Sequence, residues 1–186
     1  VVPVDINHSE WDNKLEEKSG KYCVLRLGFR QVKGLREDDV KTLIKGRTKM
    51  YTSVAEVRER GISEAALEKL ADADAFRSIG LDRRQALWEV STKDRPSALY
   101  VNNNPGDTED KKVSLPQMEL SEHVAYDYTS TVLSLKAHPV SFVREQLSRL
   151  SILPTSGLAS AKNGDVVKVA GLILVRQRPG TASGIC

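Results

Sequence analysis

Apolar and polar positions follow two rhythms along this chain, and the changes between them divide it. Residues 1–20, "VVPVDINHSEWDNKLEEKSG", are rich in polar and turn-forming residues with no helical period, and read as an extended lead-in. "KYCVLRLGFRQVKG", from Lys21, interleaves polar and apolar residues and predicts a short strand or hairpin. A helical rhythm follows. Residues 36–46 predict one helix with almost no apolar face. Ser53 with Glu56 forms an S-x-x-E capping box for a short helix ending near Gly61. Ser63 caps a helix through Leu70, with Leu67 and Leu70 on one face, and Asp82 with Gln85 opens another carrying Ala86, Leu87 and Val90. Four short helices with tight turns therefore occupy about 36–91, and helices this short hold only by packing on one another.

The Asn-, Pro- and Asp-rich "STKDRPSALYVNNNPGDTEDKKVSLP" reads as a linker. Beyond it lie a helical pattern around Leu120 to Ser130 and a second that starts at Pro139 and carries Val143, Leu147 and Leu150 at i, i+4, i+7. The pattern then turns β: "GDVVKVAGLILVRQRPGTASGIC" gives a turn, an apolar run from Val166 to Val175 and a Gly/Pro/Ser turn. A lone strand needs edge partners, so the chain is expected to stop just inside a β module.

Composition changes this picture little and charge changes it more. The 186 residues are 40% hydrophobic and 28% charged, ordinary for globular chains of one domain or two modules. No apolar run reaches about 18 residues and no basic-then-apolar leader stands at the start, so a cytoplasmic protein is expected. Cys23 and Cys186 and the scattered His8, His123 and His138 have no metal-ligand or disulfide spacing. The net charge of +3 hides an asymmetry: residues 21–50 carry nine Lys or Arg against three acids, while residues 1–20 carry five acids against two lysines. A local basic patch points to a polyanion at one face; a solvated charged helix is the alternative.

The candidate chemistry lies where that patch meets a glycine. In Val32-Lys33-Gly34-Leu35, glycine admits a positive φ that turns successive backbone N–H groups outward at a helix start, where the helix dipole adds to them. Such donors bind a phosphate oxygen, with Lys33, Arg36 and Lys41 supplying charge nearby. The contact would be salt-dependent and indifferent to base sequence. Alternatively, Gly34 merely ends a strand and starts a helix. A second helix–turn–helix, "ALEKLADADAFRSIGLDRRQALW", has an acid in its turn, Ala73-Asp74-Ala75, so it is structural or binds through Arg83 and Arg84 at the next helix start. Two arginines there oppose the helix dipole, as an anionic partner would offset.

Four stretches in this order, "LRLGFRQVKGL", "ALEKLADADAFRSIGLDRRQALWEV", "LSLKAHPVSFVREQL" and "VKVAGLILVRQRPGTASG", with "PVDIN" near the start, resemble the bacterial DNA polymerase III alpha-subunit family, in particular its error-prone, damage-induced branch. The resemblance spans nearly the whole chain. It implies a mainly α fragment from the C-terminal half: residues 1–33 as an extended or β lead-in from the end of the fingers region, 34–92 as a tandem helix-hairpin-helix module, 93–116 as linker, 117–153 as a helical connector, and 154–186 as the first strand or strands of a truncated OB fold. Val32, Lys33, Gly34, Leu35 and Arg36 match the family's first hairpin, although replicative relatives often carry a second glycine where Arg36 stands. Asp74 takes the place of the second hairpin's glycine. Arg176 and Arg178 fall where the OB domain begins, which implies a single-stranded template as a further partner, or else solvated edge charges.

The implied function is a non-catalytic, duplex-DNA-binding segment of a DNA-directed polymerase in repair and translesion synthesis. Polymerase chemistry needs carboxylates holding two divalent ions about 4 Å apart. The family's acids lie in the palm, before this segment, so magnesium belongs outside this chain and no cofactor is expected within it. The pairs Asp38-Asp39, Asp72 with Asp74, and Glu109-Asp110 read as helix starts, turns and linker. Trp11, Phe76 and Trp88 read as core. "RPSALYV" resembles the Gln-x-x-Leu-Phe peptide by which polymerases hold the sliding clamp, with Pro96 in place of the glutamine. It implies Leu99 and Tyr100 as partner-binding residues. The competing function is therefore a scaffold that docks the clamp or accessory mutagenesis proteins, and neither function involves a membrane.

Overall fold

The computed structural model describes residues 1–16, 21–92, 115–173, 175 and 177. It divides after Lys136 into two compact units, Val1–Lys136 and Ala137–Cys186. The helix predicted around Leu120 to Ser130 thus falls in the first unit and the one that starts at Pro139 in the second.

In the first unit the expected strand is present: β2 (Val24–Arg26) pairs antiparallel with β1 (Lys14–Glu16), Leu15 opposite Leu25. The helices are α1 (Glu37–Gly46), α2 (Val54–Glu59), α3 (Glu64–Asp72), α4 (Arg83–Ser91) and α5 (Leu120–Thr131). Their starts follow the local chemistry the sequence carries. The hydroxyls of Ser53 and Ser63 accept the N–H groups of Glu56 and Ala66, and Asp82 with Gln85 closes a complete capping box. In the first of these boxes the Glu56 carboxylate accepts from Thr52 N–H (2.8 Å), one residue upstream of the cap.

The core joins Leu27, Phe29, Val32 and Leu35 to Val40 and Leu43 of α1, Val54 and Val57 of α2, Leu67 and Leu70 of α3, Phe76, and Ala86 and Val90 of α4. Each large apolar side chain so buried contributes about 1.5–3 kcal/mol. The apolar face of α1 is narrow yet real, since Val40 and Leu43 are both buried. Trp11 packs against this core and Phe76 lies within it, but Trp88 is 48% exposed, against expectation: α4 buries its Ala86/Val90 side and turns the indole outward.

The lead-in departs most from its sequence reading. Val4, Asp5, Ile6, Asn7 and Ser9 are buried. Asn7 Nδ2 donates to Tyr51 C=O (3.0 Å) and Ser78 Oγ (3.0 Å), Tyr51 N–H donates back to Asn7 Oδ1 (2.7 Å), and Ile6 N–H donates to Ala75 C=O (3.0 Å). One extended segment therefore stitches the α1–α2 connection to the turn after α3. Its polar side chains, which read as solvated, are spent on buried backbone.

In the second unit His138 caps the turn that Pro139 opens, its Nδ1 accepting Val140 N–H (3.2 Å). Pro139–Val143 is a 3-10 turn and only Arg144–Arg149 (α6) is α-helical. Strands β3 (Ile152–Leu153) and β4 (Lys168–Val169) pair in parallel. The apolar stripe of the helix stays open, Leu150 at 63% exposure, and so does the run after Val166, where Lys168–Val169 is the only strand among the described residues. Among the described residues these strands make a single two-residue parallel pair, too short to define the sheet of an OB fold.

Candidate nucleic-acid interface

The bend that follows β2 has the predicted backbone. Gly34 sits at φ +74° and is exposed, while Val32 and Leu35 on either side are buried and anchor it. The bend leads into α1, whose cap residue Arg36 makes no side-chain hydrogen bond to the first turn. Among the described residues the amides of Gly34 and Arg36 have no partner, and those of Glu37, Asp38 and Asp39 have none inside the helix. The bend therefore presents outward donors at the positive end of a ten-residue helix. The Lys33 amide is not among them, because it donates to Ser130 C=O at the end of α5 (2.8 Å).

The acids of the first turn of α1 temper this potential. Glu37 pairs with Lys41 (3.1 Å), and Asp39 accepts from Ser63 Oγ (3.2 Å). Lys41 is thus engaged on the helix surface, its pKa raised above the ordinary lysine range by the hydrogen bond it donates to the Glu37 carboxylate. Much of the basic excess of 21–50 is likewise absorbed. Arg26 pairs with Glu16, Arg30 with Asp12 (3.0 Å), Lys49 with Glu56 (3.8 Å), and Arg47 bonds the carbonyls of Ile6 and Ser9 (3.0 Å each). Lys33 and Arg36 remain at the bend without an acidic partner among the described residues; Lys33 Nζ reaches only Tyr128 C=O, at 3.5 Å.

A residue outside the sequence prediction stands over the bend. A Cβ built on Gly34 would lie 3.7 Å from Lys69 Cε, in otherwise open space. Lys69 comes from α3, and only tertiary packing could reveal that it belongs here. Between Lys33 and Lys69 lies a recess of about 290 Å³ walled also by Asp72, Tyr126 and Ser130.

The second bend has the same handedness and a different occupant. Asp74 holds φ +58° as the residue after the cap of α3, with Asp74 N–H bonded to Ala71 C=O (2.9 Å) and Ala75 N–H to Leu70 C=O (3.0 Å), the paired bonds that usually favour glycine there. Its carboxylate is buried and takes Arg77 Nε (2.8 Å) and Lys136 Nζ (3.2 Å). That bend supplies its own anion.

Arg83 is not a surface cation. It is fully buried, donating from Nε to Asp72 C=O (2.8 Å), from one terminal nitrogen to His123 C=O (3.0 Å) and from the other to Asp127. The arginine that seemed to oppose the dipole of α4 instead satisfies the end of α3 and ties both to α5. Burial pushes the Asp127 carboxyl up, but hydrogen bonds from Ser134, Arg83 and Lys136 outweigh it and hold the group below the ordinary carboxylate range. Arg84 is half-buried and engaged with Pro116 C=O (2.7 Å) and Glu122 (3.4 Å). Arg176, Arg178, Leu99 and Tyr100 lie outside the described residues. No cluster of His, Cys, Asp or Glu with metal-holding geometry occurs among the described residues, and no described helix is long and apolar enough to cross a membrane.

Residues 1–86 match the family model described as a helix-hairpin-helix motif. Over its full length the chain is 48% identical to error-prone DNA polymerase 1 of Rhizobium meliloti (strain 1021), 46% identical to the error-prone DNA polymerase of Sinorhizobium medicae and 40% identical to that of Brucella melitensis biotype 1. It spans 19%, 19% and 18% of their respective lengths, about a fifth of each.

Proposed function

The chain belongs with the bacterial error-prone DNA polymerases of the polymerase III alpha-subunit type, as a segment of such a protein, and from that premise we propose that it grips duplex DNA by the phosphate backbone without taking part in nucleotidyl transfer. The observation that carries this reading is the Gly34 bend: an exposed left-handed turn with open amides at the start of α1 and the acid-free cations Lys33 and Arg36 beside it. Backbone donors and flexible cations hold phosphate and read no base edge, so the grip suits an enzyme that must follow any template. Two of the acids in the first turn of α1 are engaged, Glu37 with Lys41 and Asp39 with Ser63 Oγ, and the Asp74 carboxylate at the second bend takes Arg77 and Lys136.

The whole protein, on this reading, is a DNA-directed DNA polymerase acting at damaged templates in the cytoplasm, with its magnesium in a palm outside this segment. The residues from 154 onward would open an OB domain whose Arg176 and Arg178 meet single-stranded template.

Binding of the 186-residue chain to two duplexes of unrelated sequence, measured by fluorescence anisotropy across a salt series, tests the reading. The two cations Lys33 and Arg36 alone give a slope of about −1.8 in log affinity against log salt. Lys33→Glu should weaken both duplexes alike and flatten the slope. Absence of salt-dependent binding, or a loss confined to one sequence, would overturn it.

A further inference from the structure

The two left-handed bends of the first unit differ in a single respect that bears on the ligand. At the second, the residue with positive φ brings a carboxylate, and two cations from elsewhere in the fold, Arg77 and Lys136, converge on it. At the first, the residue with positive φ has no side chain, yet two cations still flank it. Lys33 lies on the bend and Lys69 lies over it from α3. Neither is well matched in charge. Lys69 Nζ stands 3.9 Å from Asp72, at the limit of an ion pair, and Lys33 reaches a carbonyl at 3.5 Å. The recess of about 290 Å³ between them is large enough for a phosphate group, and Gly34, next in the chain after the Lys33 of its wall, lies under Lys69. Tyr126, 45% exposed on its wall, stacks one face near the buried Arg83 guanidinium, 5.4 Å from the ring centre, which fixes that side of the recess.

We infer that Lys69 completes the phosphate site begun at Gly34, a DNA backbone phosphate taking at the first bend the place that the Asp74 carboxylate occupies at the second. The inference rests on the duplex-binding reading above and adds to it a residue from the other half of the tandem module. The two halves then act as one grip: α3 follows the α1–α2 pair in sequence but leans its cation back over the first bend. Asp72 moderates the site, giving Lys69 a loose partner to leave when phosphate arrives.

The test compares the 186-residue chain with Lys69→Gln, Lys69→Arg, Gly34→Asp and the double variant Gly34→Asp/Lys69→Gln, on the same unrelated duplexes across a salt series. Lys69→Gln should remove one phosphate contact, lowering the slope by about 0.9 and the affinity about 8-fold at 0.1 M salt. Lys69→Arg should keep both. Gly34→Asp is tolerated by the backbone, as Asp74 demonstrates, and its carboxylate should fill the site from within, so binding falls while the urea midpoint holds. In that background Lys69→Gln should cost nothing further. Should Gly34→Asp unfold the chain, Gly34→Asn takes its place as the charge-free occupant, and Lys69→Gln in the native background still decides the matter. An unchanged slope for Lys69→Gln alongside a flattened slope for Lys33→Glu would overturn the role of Lys69 and leave the duplex reading standing. A wild-type chain with no salt-dependent binding would overturn both.

Discussion

The guanidinium of Arg83 donates to the Asp127 carboxylate with both residues buried, so the first turn of α4 is tied to the middle of α5 by a charge pair enclosed in protein. Each charge was costly to desolvate and each now depends on the other.

Arg83→Met should destabilise the first unit by about 3 kcal/mol, the low end for breaking a buried pair, because Asp127 keeps Lys136 (3.0 Å) and Ser134 (2.7 Å). Asp127→Leu alone should also destabilise, and the double variant should cost less than the two together. A urea-denaturation double-mutant cycle measures that coupling. The salt slope for duplex binding, taken on the folded fraction, should not change, which separates a structural arginine from one that touches phosphate.

His123 on α5 is partly enclosed beside this pair, and burial pushes its imidazole below its ordinary value near 6.5, with Arg83, Lys136 and Arg77 adding to the effect and Asp74 opposing it. The folded chain therefore resists protonation that the unfolded chain accepts. Its stabilising effect is complete above about pH 6.5 and is lost as pH falls below that value towards the lower folded pKa. The melting temperature should decline between pH 7 and pH 5.5, and His123→Gln should decline less over the same interval.

Asn7 bridges two connections through one amide group. Asn7→Ala leaves the Tyr51 N–H and C=O without their partner in a buried setting, and each such loss costs about 1–3 kcal/mol. The urea midpoint should drop with the m-value unchanged. A substitution in a solvated lead-in would move neither.

Gly28 has an ordinary extended backbone, φ −86° and ψ 162°, so its requirement is space alone. An added Cβ would overlap the main chain of Trp11 and Asp12, which cannot swing aside as a side chain would. Gly28→Ala should cost about 1–3 kcal/mol, as overpacking does, whereas Gly61→Ala, in open space with φ +81°, should show only the strain of its backbone. Paired thermal melts compare the two.

Gly34 and the starts of α2, α3 and α4 were legible in the sequence because each depends on residues within a turn of one another: a hydroxyl or carboxylate three residues before an amide, or a residue free of a Cβ where the chain turns left-handed. The local pattern also located the bend of the candidate site. It could not say which charges face water there. Arg83 and Arg84 looked alike in "LDRRQALW", and only the packing of α5 against α3 and α4 buried one among carbonyls and carboxylates and left the other half-exposed. Packing likewise drew Val4, Asp5, Ile6 and Asn7 into the core and laid Lys69 over Gly34. Short-range hydrogen bonding is written in residue order, whereas the environment of a charge is set by segments far apart in the chain, and folding alone brings those together.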